Sequence, residues 1–91
     1  MKFMIEWNIP TATYKAAAER FLATQAPDPE GVKTIGRWHA PGSARGWHVV
    51  EADASGMAEI SAVWGDLIEL TITPVIEDAE AASSLAKVHG S

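Results

Sequence analysis

The period at which large apolar residues recur changes along this chain, and the order of the changes admits few folds. Phe3, Ile5, Trp7 and Ile9 alternate with Met4, Glu6 and Asn8, the two-residue period of a strand. After Pro10 the spacing turns helical: Tyr14, Ala17, Ala18, Phe21 and Leu22 make one stripe over 13–24, with Thr11 or Thr13 as N-cap. Pro27-Asp28-Pro29-Glu30-Gly31 has turn chemistry at nearly every position and ends that helix. Strand character returns over 32–39 and 47–53, joined by a hairpin loop over 40–46. Behind Ser55 as cap, Met57, Ile60, Val63, Trp64, Leu67 and Ile68 predict a second helix. A fourth strand over 69–76 and an alanine-rich amphipathic helix over 78–88 follow, ahead of a frayed tail at 89–91. The order β-α-β-β-α-β-α predicts an α+β, ferredoxin-like fold: a four-stranded antiparallel sheet with two helices on one face and an added C-terminal helix.

Ninety-one residues hold one domain, taken as 1–88, and a chain of 9.7 kDa buries about two-thirds of its surface, a modest core that dimerisation would enlarge. Seven scattered basic residues against twelve acidic ones leave a net charge of −5, so neither nucleic acid nor a membrane surface is an expected partner. The absence of cysteine excludes disulfides, thiolate zinc sites and thiol nucleophiles. Glu6 interrupts the opening apolar run, and no stretch is long enough to span a bilayer, so a soluble cytoplasmic protein is expected.

Strict alternation would place Phe3, Ile5, Trp7, Ile9, Val32, Thr34, Gly36, Trp38, Val50, Ala52, Leu70 and Ile72 toward the helices. The opposite face would then carry Met4, Glu6, Asn8, Ile35, Arg37, His39, Trp47, Val49, Glu51, Thr71, Thr73 and Val75, half polar and half apolar. Such a face on a small monomer calls for a cover. Two copies packed through it would close an α+β barrel, and a homodimer is expected.

On that face Arg37, His39 and Glu51 are the candidates for chemistry: a charged fork, a donor or proton shuttle, and a carboxylate that orients the imidazole. The plainer alternative is an Arg37–Glu51 pair across the dimer interface, with His39 bonded to a backbone carbonyl. His39, His48 and Glu51 do not make a metal site, because His48 and Glu51 point to opposite faces of one strand. Trp7 and Trp38 are expected in the core, whereas Trp47 and Trp64 are the two that could frame a ligand, core packing being the favoured role for Trp64. Phosphate-cradling glycine loops, nucleophile elbows and paired-histidine zinc motifs are absent from the sequence.

Met1-Lys2-Phe3-Met4-Ile5-Glu6-Trp7, Pro29-Glu30-Gly31-Val32-Lys33, Gly36-Arg37-Trp38-His39, Val50-Glu51, Trp64-Gly65-Asp66-Leu67 and Thr73-Pro74-Val75 resemble family 3303 of the domains of unknown function over nearly the whole chain. The resemblance implies small bacterial proteins of the dimeric α+β barrel type, a superfamily of cofactor-free monooxygenases, haem-degrading enzymes, dehydratases and ligand-sensing domains. Asn8 and Trp64 match an Asn and a Trp of its haem-degrading members. The His that follows that Trp there has no counterpart here except His89 in the tail, so haem degradation is not expected, and no cofactor is implied. Three functions stay open. The first is a homodimeric small-molecule binding or sensing domain with a cavity on the open sheet face, formed by Glu6, Asn8, Arg37, His39, Trp47, Glu51 and Trp64. The second is an interaction protein whose sheet face is only an interface. The third is a cofactor-free monooxygenase-like or isomerase-like enzyme using His39 as acid–base group.

Overall fold

A computed structural model describes residues 1–90; Ser91, the end of the expected tail, lies outside the described residues. The elements are β1 (Lys2–Asn8), a 3-10 turn (Thr11–Thr13), α1 (Tyr14–Thr24), β2 (Lys33–His39), β3 (Arg45–Glu51), α2 (Ala54–Trp64), β4 (Glu69–Val75) and α3 (Asp78–His89). The strands form one antiparallel sheet in the order β2-β3-β1-β4, as the α+β, ferredoxin-like expectation requires.

The core lies between this sheet and α2. Phe3, Ile5 and Val50 from the strands meet Val32, Ala52, Met57 and Ile60, with Trp64, Leu70 and Ile72 at its edge. The approach is close: a Cβ on Gly56 would lie 2.6 Å from Val32 Cγ2, so α2 settles onto the sheet only with glycine there. The helix is capped by Asp53 rather than by Ser55. The Asp53 carboxylate accepts from the Gly56 amide at 2.9 Å and from the Ser55 hydroxyl at 2.8 Å, which holds its pKa below the ordinary aspartate value.

Three further sequence expectations are corrected. Alternation holds in β1, β3 and β4 but fails in β2, where Thr34 pairs with Val50 and Gly36 with Val49, leaving Ile35 as an extra residue. A β-bulge of this kind suits an edge strand, and it inverts the parity of everything after it. Arg37 and His39, opposite His48 and Gly46, therefore turn toward the helices. Trp38, opposite Trp47, turns to the open face and is 58% exposed rather than in the core. Secondly, Thr13 occupies the cap position of α1 without capping it; its hydroxyl donates to the Leu67 carbonyl at 2.6 Å. Thirdly, α3 runs through His89, so that residue is helical and not part of a tail.

The chain exposes 6193 Å², where a globular protein of this mass exposes about 5,000 Å². Its radius of gyration is 15.6 Å against about 12 Å for a compact domain of this length. α3 contributes to both departures, because none of its residues is buried and Leu85 and Val88 are exposed.

Candidate functional site

Unlike α2, the first helix stands off the sheet. Ala17 is its only buried residue, and beneath it lies a cavity of about 410 Å³. Ile5, Trp7 and Leu70 make an apolar floor; Tyr14, Ala18, Phe21 and Leu22 of α1 cover it; Ile60 and Trp64 of α2 close one side. The Pro27–Pro29 segment and the β2–β3 loop, through Gly42 and Ser43, complete the wall. That volume suits a small organic molecule.

Local chemistry fixes each part of this wall. α1 is tied to the end of α2 by Arg20, whose guanidinium grips the Asp66 carboxylate through two bonds of 2.9 and 2.8 Å and donates to the Val63 carbonyl at 2.7 Å. The bond to Arg20 holds the Asp66 carboxyl below the usual carboxylate range. At the other end of α1 the Tyr14 hydroxyl donates to the Gly42 carbonyl. Gly42 has φ +93° behind Pro41, and the Ser43 amide closes that turn onto the Ala40 carbonyl at 2.8 Å. Trp7 lies flat over Gly46 and donates from Nε1 to the Ser43 carbonyl at 2.9 Å, holding the loop in place. Its ring meets the edge of His39 at 4.9 Å, and His39 Nδ1 is 3.0 Å from Ser43 Oγ.

Arg37 projects into this apolar surround with its guanidinium over the Phe21 ring at 5.5 Å. Its protein partners are the carbonyls of Ala26 at 3.3 Å and Gln25 at 3.5 Å, both long. Those carbonyls are delivered by two consecutive left-handed residues, Gln25 at φ +63° and Ala26 at φ +44°. Among the described residues no carboxylate forms an ion pair with Arg37, so most of its five donors are free.

Among the described residues His48 is the one buried polar residue, opposite Arg37 across the β2–β3 ladder. Thr34 links it to Asp28: the Thr34 amide and hydroxyl donate to the two Asp28 oxygens at 3.0 and 2.6 Å. The single hydroxyl proton being committed, Thr34 Oγ1 accepts at 2.7 Å from His48 Nε2, which must carry hydrogen. Burial first, then the nearby Arg37 charge, pulls the His48 pKa below 6.5 against the opposing pull of Asp28, so the ring is neutral at pH 7. Its Nδ1 then holds a lone pair and has no hydrogen-bond partner among the described residues. Among the described residues no fully buried side-chain nitrogen or oxygen lacks one, so this atom is not sealed in the core, and His48 lines the cavity.

Of the residues expected at a site, Arg37, His39 and Trp64 come together in this cavity. Glu6, Asn8, Trp47 and Glu51 lie on the other face of the sheet. Glu51 neither orients His39 nor pairs with Arg37: it sits at the far end of β3 beside Lys33, and its oxygen takes the Met1 amino group at 2.6 Å. Asn8 Nδ2 reaches Glu69 at 3.5 Å. His48, Thr34 and Asp28 were missed as a group. Parity in β3 already puts His48 beside Val50 on the helix face, but Asp28 comes from a loop whose path no periodicity describes.

A four-stranded antiparallel sheet with a cation-bearing cavity under its first helix defines a ferredoxin-like α+β domain. Over residues 1–89 the chain matches the family described as "Domain of unknown function (DUF3303)", and it belongs to that family. No curated protein and no solved structure matches it. Among the described residues no helix is long and apolar enough to cross a membrane.

Proposed function

We propose that this chain binds a compact, largely apolar organic anion, such as an aromatic carboxylate, in the cavity beneath α1. One observation carries this: Arg37 places a guanidinium without a carboxylate partner inside an aromatic-walled space of about 410 Å³. Among the described residues the one carboxylate in the same wall, Asp28, is engaged by Thr34 and forms no ion pair with Arg37, so a ligand carboxylate seated on the free donors supplies the hydrogen bonds and the close counter-charge that the guanidinium otherwise draws from water. Titration of phenylacetate and indole-3-acetate, followed by calorimetry and tryptophan fluorescence, is expected to show binding. The corresponding neutral amides, and the carboxylates on Arg37→Met, should bind at least about tenfold more weakly, as one charge-assisted bond is worth about 1.5–3 kcal/mol. Equal binding of acids and amides, or an Arg37→Met protein that binds as well as wild type, refutes the assignment.

The same proposal includes a cytoplasmic homodimer closed through the open sheet face. Met4, Trp38, Trp47 and Val49 lie there together, Arg45 stacks on Trp47 at 5.7 Å, and Trp38 and Ile35 are exposed. Sedimentation equilibrium should give twice the chain mass, and Trp38→Glu should give the monomer. A wild-type monomer at micromolar concentration overturns the dimer and leaves the cavity proposal standing.

A further inference from the structure

The arrangement that holds His48 does more than satisfy a buried ring. A core histidine needs its polar atoms bonded; here one nitrogen is fixed by a relay and the other has no protein partner, in a residue that lines the cavity with Arg37. Arg37 and His48 are register partners on one side of the sheet and line one cavity, and the guanidinium reaches out over Phe21, so an elongated anion anchored on Arg37 extends back toward the imidazole. A cation and a neutral base next to one another, walled by aromatic side chains, are the parts needed to move a proton from carbon. The base takes the proton and the cation faces the charge left behind.

We propose that the cavity catalyses keto–enol interconversion of an aromatic 2-oxo acid, with His48 Nδ1 as the base and Arg37 facing the carboxylate and the developing enolate. This rests on the anion-binding reading of the same cavity. In the step, the C–H bond next to the ketone breaks and its proton goes to Nδ1. The bonding pair becomes the new carbon–carbon double bond, and the carbonyl pair moves to the oxygen before Arg37. Delivery of the proton from the imidazolium to that oxygen completes the enol, so no cofactor or redox partner is consumed. Thr34 and Asp28 are positioning residues: they keep hydrogen on Nε2, and the carboxylate favours the imidazolium that forms, while Arg37 disfavours it. His39 is less suited to the task, being exposed at the mouth with Nδ1 beside Ser43.

The test uses phenylpyruvate as probe, with binding measured by calorimetry and exchange of its benzylic hydrogens in D2O followed by proton NMR. The wild-type protein is expected to bind it and accelerate exchange. His48→Gln, which keeps an N–H for Thr34, should retain binding within about threefold and lose about 100-fold or more of the acceleration. If that variant does not give a cooperative melt, Thr34→Val serves instead. Its kcat for exchange should fall about tenfold with KM within about threefold, and its pH profile should be displaced from wild type. Binding without accelerated exchange, or full exchange in His48→Gln, overturns the catalytic proposal alone. Absence of phenylpyruvate binding to wild type, together with that of the other aromatic acids, removes the anion site and this inference with it.

Discussion

Gly46→Ala probes the joint on which the cavity mouth depends. Gly46 has no positive φ, so it is glycine for space and not for backbone freedom. A Cβ there would lie 2.0, 2.2 and 2.5 Å from Cζ2, Cη2 and Cε2 of Trp7, where carbon atoms ordinarily stop at about 3.5 Å. The indole must therefore retreat by about 1.5 Å. Overpacking of this sort costs about 1–3 kcal/mol. Retreat also breaks the 2.9 Å bond from Trp7 Nε1 to Ser43, worth about 1 kcal/mol, and the edge contact with His39, worth about 0.5 kcal/mol. A loss near 3 kcal/mol, with a fall in Tm of about 12–24 °C, is expected. Urea denaturation followed by far-UV circular dichroism measures it. Repeating the substitution in a Trp7→Leu background removes the colliding atoms, and there Gly46→Ala should cost less than about 0.5 kcal/mol. A single variant within about 1 kcal/mol of wild type, or the same cost in both backgrounds, would show that Trp7 is not held against Gly46.

Two further outcomes follow from the same geometry. Ala26→Gly relieves a left-handed alanine at φ +44° and should stabilise the chain by about 1 kcal/mol, read as a rise of about 4–8 °C in Tm; a decrease would mean that the turn after α1 is not left-handed. For pH, His48 has a folded pKa below 6.5 because burial and Arg37 oppose its charge, so between those two values the unfolded chain holds more protons than the folded one. Stability should therefore be independent of this group above pH 6.5 and decline as pH falls from 6.5 toward the folded value. The decline should vanish in His48→Gln. The depressed carboxyls of Asp53 and Asp66 act lower, their contribution being lost as pH falls below 3.8, which separates the two windows in thermal melts.

Element order and strand parity were legible because they rest on side-chain periods that every strand and helix must obey. Three of the four strands keep the faces that alternation assigns, and Phe3, Ile5, Val50 and Ala52 are core as expected. The bulge was not legible as such, since an extra residue in an edge strand changes no composition and breaks no apolar run. One signal was present: Gly36 is an isolated glycine inside a strand, which commonly marks an irregularity. It sits directly after the extra residue, and the six-membered ring of Trp38 packs over it, within 2.3 Å of where a Cβ would be. The Asp28–Thr34–His48 relay was out of reach for a different reason. Its members lie 6 and 14 residues apart, and a rigid loop with two prolines brings the first to the second.

That single irregularity sorts the chemistry of the molecule. Without Ile35 as an extra residue, Arg37 and His39 would face outward among Glu6, Glu51 and the threonines, where solvent and carboxylates would satisfy them, and Trp38 would fill the space under α1. The cavity would then be smaller and without its cation, and the open face would lose the indole opposite Trp47. With it, the cation sits in the apolar space and the large aromatic lies on the surface we assign to a second copy. Anion binding depends on this one-residue shift in the pairing of β2 with β3, proton transfer beside His48 depends on it through the anion site, and dimer formation gains from it an exposed indole on the open face.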